Sequence, residues 1–75
     1  MAYAYIVRGS EDGNIGVFSN RGRAEIEAVN YVSLAVGLPA AAGNRQIHVT
    51  KNKFVTYIES DLTRVTAEVE KHYLS

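Results

Sequence analysis

The chain has no cysteine and no tryptophan, a single proline, and no surplus of charge of either sign. Each absence removes something. Without cysteine there is no disulfide scaffold, no thiolate metal site and no thiol nucleophile. Eight Lys and Arg balance eight Asp and Glu, so net charge gives no ground for a nucleic-acid coat protein, a membrane-surface binder or an acidic mimic of DNA. No apolar run approaches the roughly 20 residues of a membrane-spanning helix. The opening Met-Ala-Tyr-Ala-Tyr-Ile-Val-Arg lacks the basic start and apolar stretch of a signal peptide, so the expected location is the cytoplasm. With 47% hydrophobic residues the composition is that of a folded domain rather than a disordered segment. At 75 residues it is one small domain, 1–75. A domain of this size buries a modest share of its surface, and a homodimer or another partner would add to it.

What is present is organised around residues 19–39, which read as a helix with a start and a stop. Ser19 and Asn20 are N-capping types, whose side-chain oxygens accept from otherwise unpaired backbone N–H groups. Ala24, Ala28, Tyr31, Val32 and Ala35 then recur at spacings of three and four, which places them on one stripe; Glu27, Asn30 and Ser33 fall on the flank expected to face water. Gly37, Leu38 and Pro39 supply a left-handed C-cap, an apolar residue to pack back, and a stop. Gly22 in the first turn costs about 1 kcal/mol relative to alanine. Arg21 and Arg23 sit at the positive end of the helix dipole, where cations are mildly unfavourable. They belong either to a frayed first turn or to a display for an anionic partner.

Around this helix the pattern predicts strands. Residues 3–7 are aromatic and β-branched, with Tyr3, Tyr5 and Val7 on one face and Ala4, Ile6 and Arg8 on the other. Asp12-Gly13 marks a turn, and residues 15–18 form the returning strand of a hairpin. Residues 45–50 and 54–59 read as a second hairpin. A two-residue loop at Lys51-Asn52 puts Ile47 and Val49 on the face of Phe54 and Ile58, and is preferred to a three-residue loop that puts them with Val55 and Tyr57. Leu62, Val65, Val69 and Tyr73 then suggest a second helix, capped by Ser60 or Asp61, with Arg64, Glu68 and Lys71 on its wet face. Ala24-Glu25-Ile26-Glu27 and Ala67-Glu68-Val69-Glu70 look alike as two similar helices rather than as a duplication. The expected fold is α+β, ββαββα: a four-stranded antiparallel sheet with two helices packed on one face.

No catalytic set stands out, and no metal or cofactor is expected. His48 and His72 lack ligand spacing; the first reads as a solvent-facing strand residue, the second as a charge complement at a helix end. An enzyme reading would start from His48 beside an acid of another copy. The Gly9, Gly13 and Gly16 series lacks the lysine and helix of a phosphate loop and reads as a hairpin turn. Glu11 and Asp12 read as a solvated turn, with a charged binding tip as the alternative. More informative is the run Arg45, His48, Lys51 and Lys53 on one hairpin, with no acid before Glu59. A basic ribbon tracks phosphates, with Tyr57 or Phe54 to stack on a base, or meets an acidic protein patch, or simply keeps an edge soluble. Arg8, Arg21 and Arg23 join it if the sheet brings those ends together. Tyr3 and Tyr5 reach the open side of the sheet if Ala4 and Ile6 pack under the helices, and exposed tyrosines are good binding anchors. The other reading of these tyrosines is core.

Tyr5-Ile6-Val7, the Ser10-Glu11-Asp12-Gly13 loop, Ile15-Gly16-Val17-Phe18-Ser19-Asn20 and the Ala/Glu helix together resemble a module of small bacteriophage proteins. The resemblance covers about residues 3–33, and departs from the pattern in having arginines where that helix usually begins with Lys-Glu. It implies a non-enzymatic protein-binding module, a phage-encoded inhibitor of a host protein or protein complex, of which anti-CRISPR and other anti-defence proteins are examples. The residues expected to bind such a partner are Tyr3, Tyr5, Arg45, Lys51, Lys53 and Tyr57. The alternative, a small nucleic-acid-binding protein, uses the basic hairpin 45–54 with Arg21, Arg23, Arg45, His48, Lys51 and Lys53. No membrane partner is expected.

Overall fold

The computed structural model describes residues 2–37 and 46–74. The elements run β1 (Tyr3–Gly9), β2 (Gly13–Phe18), α1 (Arg21–Val36), β3 (Ile47–Lys51), β4 (Val55–Ser60) and β5 (Thr63–Tyr73). The five strands form one sheet in the order β2-β1-β5-β4-β3, each pair antiparallel. The α+β class and the antiparallel sheet agree with the sequence reading. The second helix does not: residues 63–73 are the longest strand, and the architecture is ββαβββ with one helix.

The physical reason lies in the spacing. Val65, Val69 and Tyr73 are four apart, a spacing shared by one face of a helix and one face of a strand. The odd positions Thr63, Val65, Ala67, Val69, Lys71 and Tyr73 alternate with Arg64, Thr66, Glu68, Glu70 and His72, and the β-branched Thr63, Val65, Thr66 and Val69 favour the strand. Leu62, the one stripe residue out of step, lies in the Asp61-Leu62 turn between Ser60 and Thr63, which pair. Ser60 does not cap a helix there; its hydroxyl accepts from Leu62 N at 3.2 Å within that turn.

The first half follows the sequence closely. Asn20 caps α1 by accepting from Arg23 N at 3.1 Å, and Gly37 closes it in the left-handed region at φ 81°. Leu38 and Pro39 lie outside the described residues. Ala24, Ala28 and Val32 are fully buried against Val7, Ile58, Ala67 and Val69. Methyl-sized side chains let the helix approach the sheet closely, and these contacts make the core. Two stripe assignments change. Ala35 is exposed, and Ser33 is buried in the last turn, where its carbonyl accepts the Gly37 cap N–H at 3.0 Å. β3 and β4 pair with Val49 opposite Ile58 and Lys51 opposite Thr56. Ile47 and Val49 therefore do share the face of Ile58, although the turn, spanning 52–55, is longer than two residues.

At the far end of the helix Tyr31 lies over Gly9. Its hydroxyl donates to Asp12 Oδ2 at 2.7 Å and accepts from Glu11 N at 3.2 Å. The bond to the Asp12 carboxylate, and then burial, raise the Tyr31 pKa above the ordinary tyrosine value. Glu11 and Asp12, read as a solvated turn, thus also latch the β1–β2 tip to α1. Gly9 is required by close approach, because a Cβ there would overlap the Tyr31 ring. Gly13 is required by its backbone, at φ 71° with open space around it. Gly9→Ala is expected to cost about 2 to 3 kcal/mol by overpacking, against about 1 kcal/mol for Gly13→Ala by left-handed strain alone. Urea unfolding of both variants checks the order, and a smaller loss at Gly9 than at Gly13 refutes the proposed contact.

Candidate functional site

Arg21 organises the site. The first turn of α1 lies over the β3–β4 turn, and the guanidinium reaches into it. Nη2 donates to the Asn52 carbonyl at 2.6 Å and to Thr56 Oγ1 at 3.1 Å; Nη1 donates to the Lys53 carbonyl at 3.2 Å. Nε stands 3.6 Å from Glu25 Oε2. Thr56, fully buried, donates to the same carboxylate at 2.7 Å, and Lys51 Nζ lies 3.6 Å from it. The arginine that looked misplaced at a helix N-terminus is therefore compensated by carbonyls and a carboxylate of its surroundings. Asn52 completes the turn from within, its Oδ1 accepting from Phe54 N at 2.8 Å and Val55 N at 3.0 Å. The result is a rigid turn that holds Lys53 and Phe54 outward; Phe54 is 64% exposed.

The sheet continues past this turn on the same side. The Phe54 carbonyl accepts from Lys71 N at 2.8 Å. Lys71 Nζ stands 4.1 Å from the centre of the Tyr3 ring, a cation–π contact, and Tyr3 packs on Tyr73 with ring centres 5.4 Å apart and tilted by 56°. Tyr73 and Leu74 are exposed. Arg23 is exposed in the first helical turn. Arg21, Arg23, Lys51, Lys53 and Lys71 thus collect at the helix N-terminal end of the molecule with Glu25 as the acid among them, around an aromatic set of Tyr3, Phe54 and Tyr73.

The opposite face of the sheet is different. A row crosses all five strands through Asn14, Arg8, Glu68, Tyr57 and Thr50. Arg8 is occupied there: Nε donates to Asn14 Oδ1 at 2.9 Å, Nη1 bonds Glu70, and Glu68 lies 3.8 Å away. A groove of about 270 Å³ runs beside this row between Arg8, Ser10, Tyr57 and Glu68. His48 lies on this side of β3, with Nε2 3.2 Å from Asp61 Oδ2, both groups exposed.

These positions divide the residues named from sequence. The expected partner set does not form one surface. Tyr3, Lys51 and Lys53 lie at the basic end, while Tyr57 stands on the other face. Tyr5 shares the helix side with Val7 and packs against the core edge. The reason is that Val7, not Ala4 or Ile6, packs under the helix, so Tyr3 and Tyr5 are on the covered side of the sheet. In the nucleic-acid set, Arg21 does join Lys51 and Lys53, Arg23 is close by, and His48 lies away from them. Arg45 lies outside the described residues. The sequence reading does not join Lys71, Phe54 and Tyr73 in one patch, because a helix over 63–73 separates Lys71 from Tyr73; the signal that unites them is the parity of 69, 71 and 73, which a strand carries to one face.

Among the described residues no group of three or more His, Asp or Glu could hold a metal ion, and no helix is long and apolar enough to cross a membrane. Arg21→Ala is expected to cost about 2 kcal/mol, the scale of hydrogen bonds to a charged group left unmade, and to speed amide exchange at Phe54 and Val55 more than in the core strands. Arg21→Lys cannot span both carbonyls and Thr56 and should recover less than half of the loss. Full recovery by lysine would refute the forked geometry. No family model, curated protein or solved structure matches this chain.

Proposed function

We propose that this protein is a non-enzymatic binding module that works by occupying the surface of a larger anionic partner with the basic, aromatic end of its sheet. The observation that carries the reading is the collection of five cations around exposed Phe54, Tyr73 and Leu74, with Glu25 as the acid among them. Exposed rings and an aliphatic side chain inside a cationic rim are the composition of a binding hot spot. The turn that carries Lys53 and Phe54 is held by Arg21 and Asn52, so little ordering entropy is lost on contact.

In the form that the phage resemblance implies, the partner is a host protein or complex, and the module is a phage-encoded inhibitor acting in the host cytoplasm, of the anti-CRISPR or another anti-defence kind. The second reading is nucleic acid. It is favoured by one specific placement: Arg21 and Arg23, separated by some thirty residues from Lys51 and Lys53, come to the same end of the fold.

The test is affinity capture from bacterial lysate with tagged protein, with and without nuclease, beside a Lys53→Glu, Lys71→Glu double variant. The expected result is a stoichiometric partner whose recovery falls at least tenfold with the double variant. A host protein that survives nuclease supports the inhibitor form. Capture that the double variant leaves unchanged refutes the basic end as the working surface.

A further inference from the structure

We propose that the basic, aromatic end binds single-stranded nucleic acid, with Phe54 and Tyr73 as stacking platforms and Lys51, Lys53, Lys71 and Arg23 as the phosphate contacts. The proposal rests on the reading of this end as the working surface and commits its occupant.

Four observations point this way. First, the charge is segregated. The chain is neutral as a whole, but this end gathers five of its cations against Glu25, with Glu27 one helical turn on from Arg23, while Glu68 and Glu70 lie on the opposite sheet face around Arg8 and Glu11 and Asp12 at the β1–β2 tip. A positive end on a neutral body attracts a polyanion without the repulsion of a like-charged remainder. Second, the rings are exposed. Phe54 is 64% exposed and Tyr73 60%; the Phe54 backbone is held in the turn by Asn52, and the Tyr73 ring is braced by Tyr3. Base stacking on such rings is worth about 1 to 3 kcal/mol per base and tolerates any base. A duplex hides those base faces, which is why exposed rings select a single strand.

Third, one of the two arginines at this end is turned inward. Arg21 spends its planar fork on the Asn52 and Lys53 carbonyls and Thr56. Three of the four cations left to meet a ligand are lysines, compact charges that suit phosphates. The expected binding therefore rests on phosphate contacts and stacking, with little dependence on sequence. Fourth, the dimensions fit. The molecule measures 21 and 17 Å along its shorter axes, room for about four nucleotides, the low end of site sizes for small single-strand binders. An acidic protein surface would take the same charges and bury the same rings as hot-spot anchors, and it is left as an outcome of the test.

The experiment measures fluorescence anisotropy of a labelled dT12, with a duplex of the same length and poly-L-glutamate as competitors, from 50 to 200 mM salt. The wild type is expected to bind dT12 at least tenfold tighter than duplex, with a log–log salt slope of about −2 to −3 for three to four phosphate contacts. Phe54→Ala with Tyr73→Ala should weaken dT12 at least tenfold and leave competition by poly-L-glutamate within twofold; both rings are exposed, and thermal unfolding verifies the fold. Lys53→Glu with Lys71→Glu should weaken both polyanions. Equal affinity for duplex, tighter binding of poly-L-glutamate, or indifference to loss of the rings overturns the single-strand proposal and leaves the basic end as the working surface. Binding to none of the three overturns both.

Discussion

Everything in this fold depends on β5 lying between β1 and β4. The first half of the chain is a hairpin feeding a helix; the second is a three-strand meander. Neither half closes a core alone. The buried residues come from both, with Val7, Ala24, Ala28 and Val32 from the first and Ile58, Ala67 and Val69 from the second. β5 joins them by pairing Tyr3 with Tyr73 at one end and Gly9 with Ala67 at the other. A join between the chain's two ends has a high loop-closure cost, which is recovered only when the sheet and the helix face are buried together. Cooperativity between the halves is thus built into the strand order, and so is the working surface, because Lys71 and Tyr73 reach the basic end only as part of β5.

How much of this could be read from the residues depended on whether a signal was local. The helix announced itself through Asn20 and Gly37, whose capping acts within four residues. The β1–β2 hairpin announced itself through Asp12-Gly13. β5 reads as a helix from sequence because a repeat of four serves both periodicities, and because Glu and Lys on the intervening positions resemble the wet flank of a helix as well as the open face of a sheet. The residues that separate the two are the β-branched Thr63, Val65, Thr66 and Val69, which favour a strand, against a helical stripe that is complete only with Leu62, a turn residue. Gly9 shows the limit more sharply. Its need for a bare Cα comes from Tyr31, twenty-two residues away, and no window around Gly9 contains that fact.

The same limit governs the site. A formal charge of zero excludes a uniformly basic surface but says nothing about distribution. Here distribution follows from topology. The 2-residue link from β2 to α1 returns the helix over the sheet with Arg21 at the β3–β4 turn, and β5 brings Lys71 alongside Phe54. Arg21 and Arg23 could be named in advance as joining the basic hairpin only on condition that the ends meet. They meet, while His48, in the same hairpin, leaves by strand alternation to the other face and pairs with Asp61.

Arg21 also explains why the end can be both charged and ordered. Several cations at one end of a 75-residue domain repel, and at a helix N-terminus they oppose the dipole as well. Two devices offset this. Glu25 sits centrally, 3.6 Å from both Arg21 and Lys51, and accepts from buried Thr56. Arg21 turns its charge toward carbonyl oxygens rather than toward its neighbours. What repulsion remains falls on Lys53, Lys71 and Arg23, which with Lys51 are the groups left to meet an anion. A polyanion would relieve that repulsion on binding, so part of the binding energy is already stored in the unliganded fold, and the arginine that seemed an error of helix design is what lets the fold carry it.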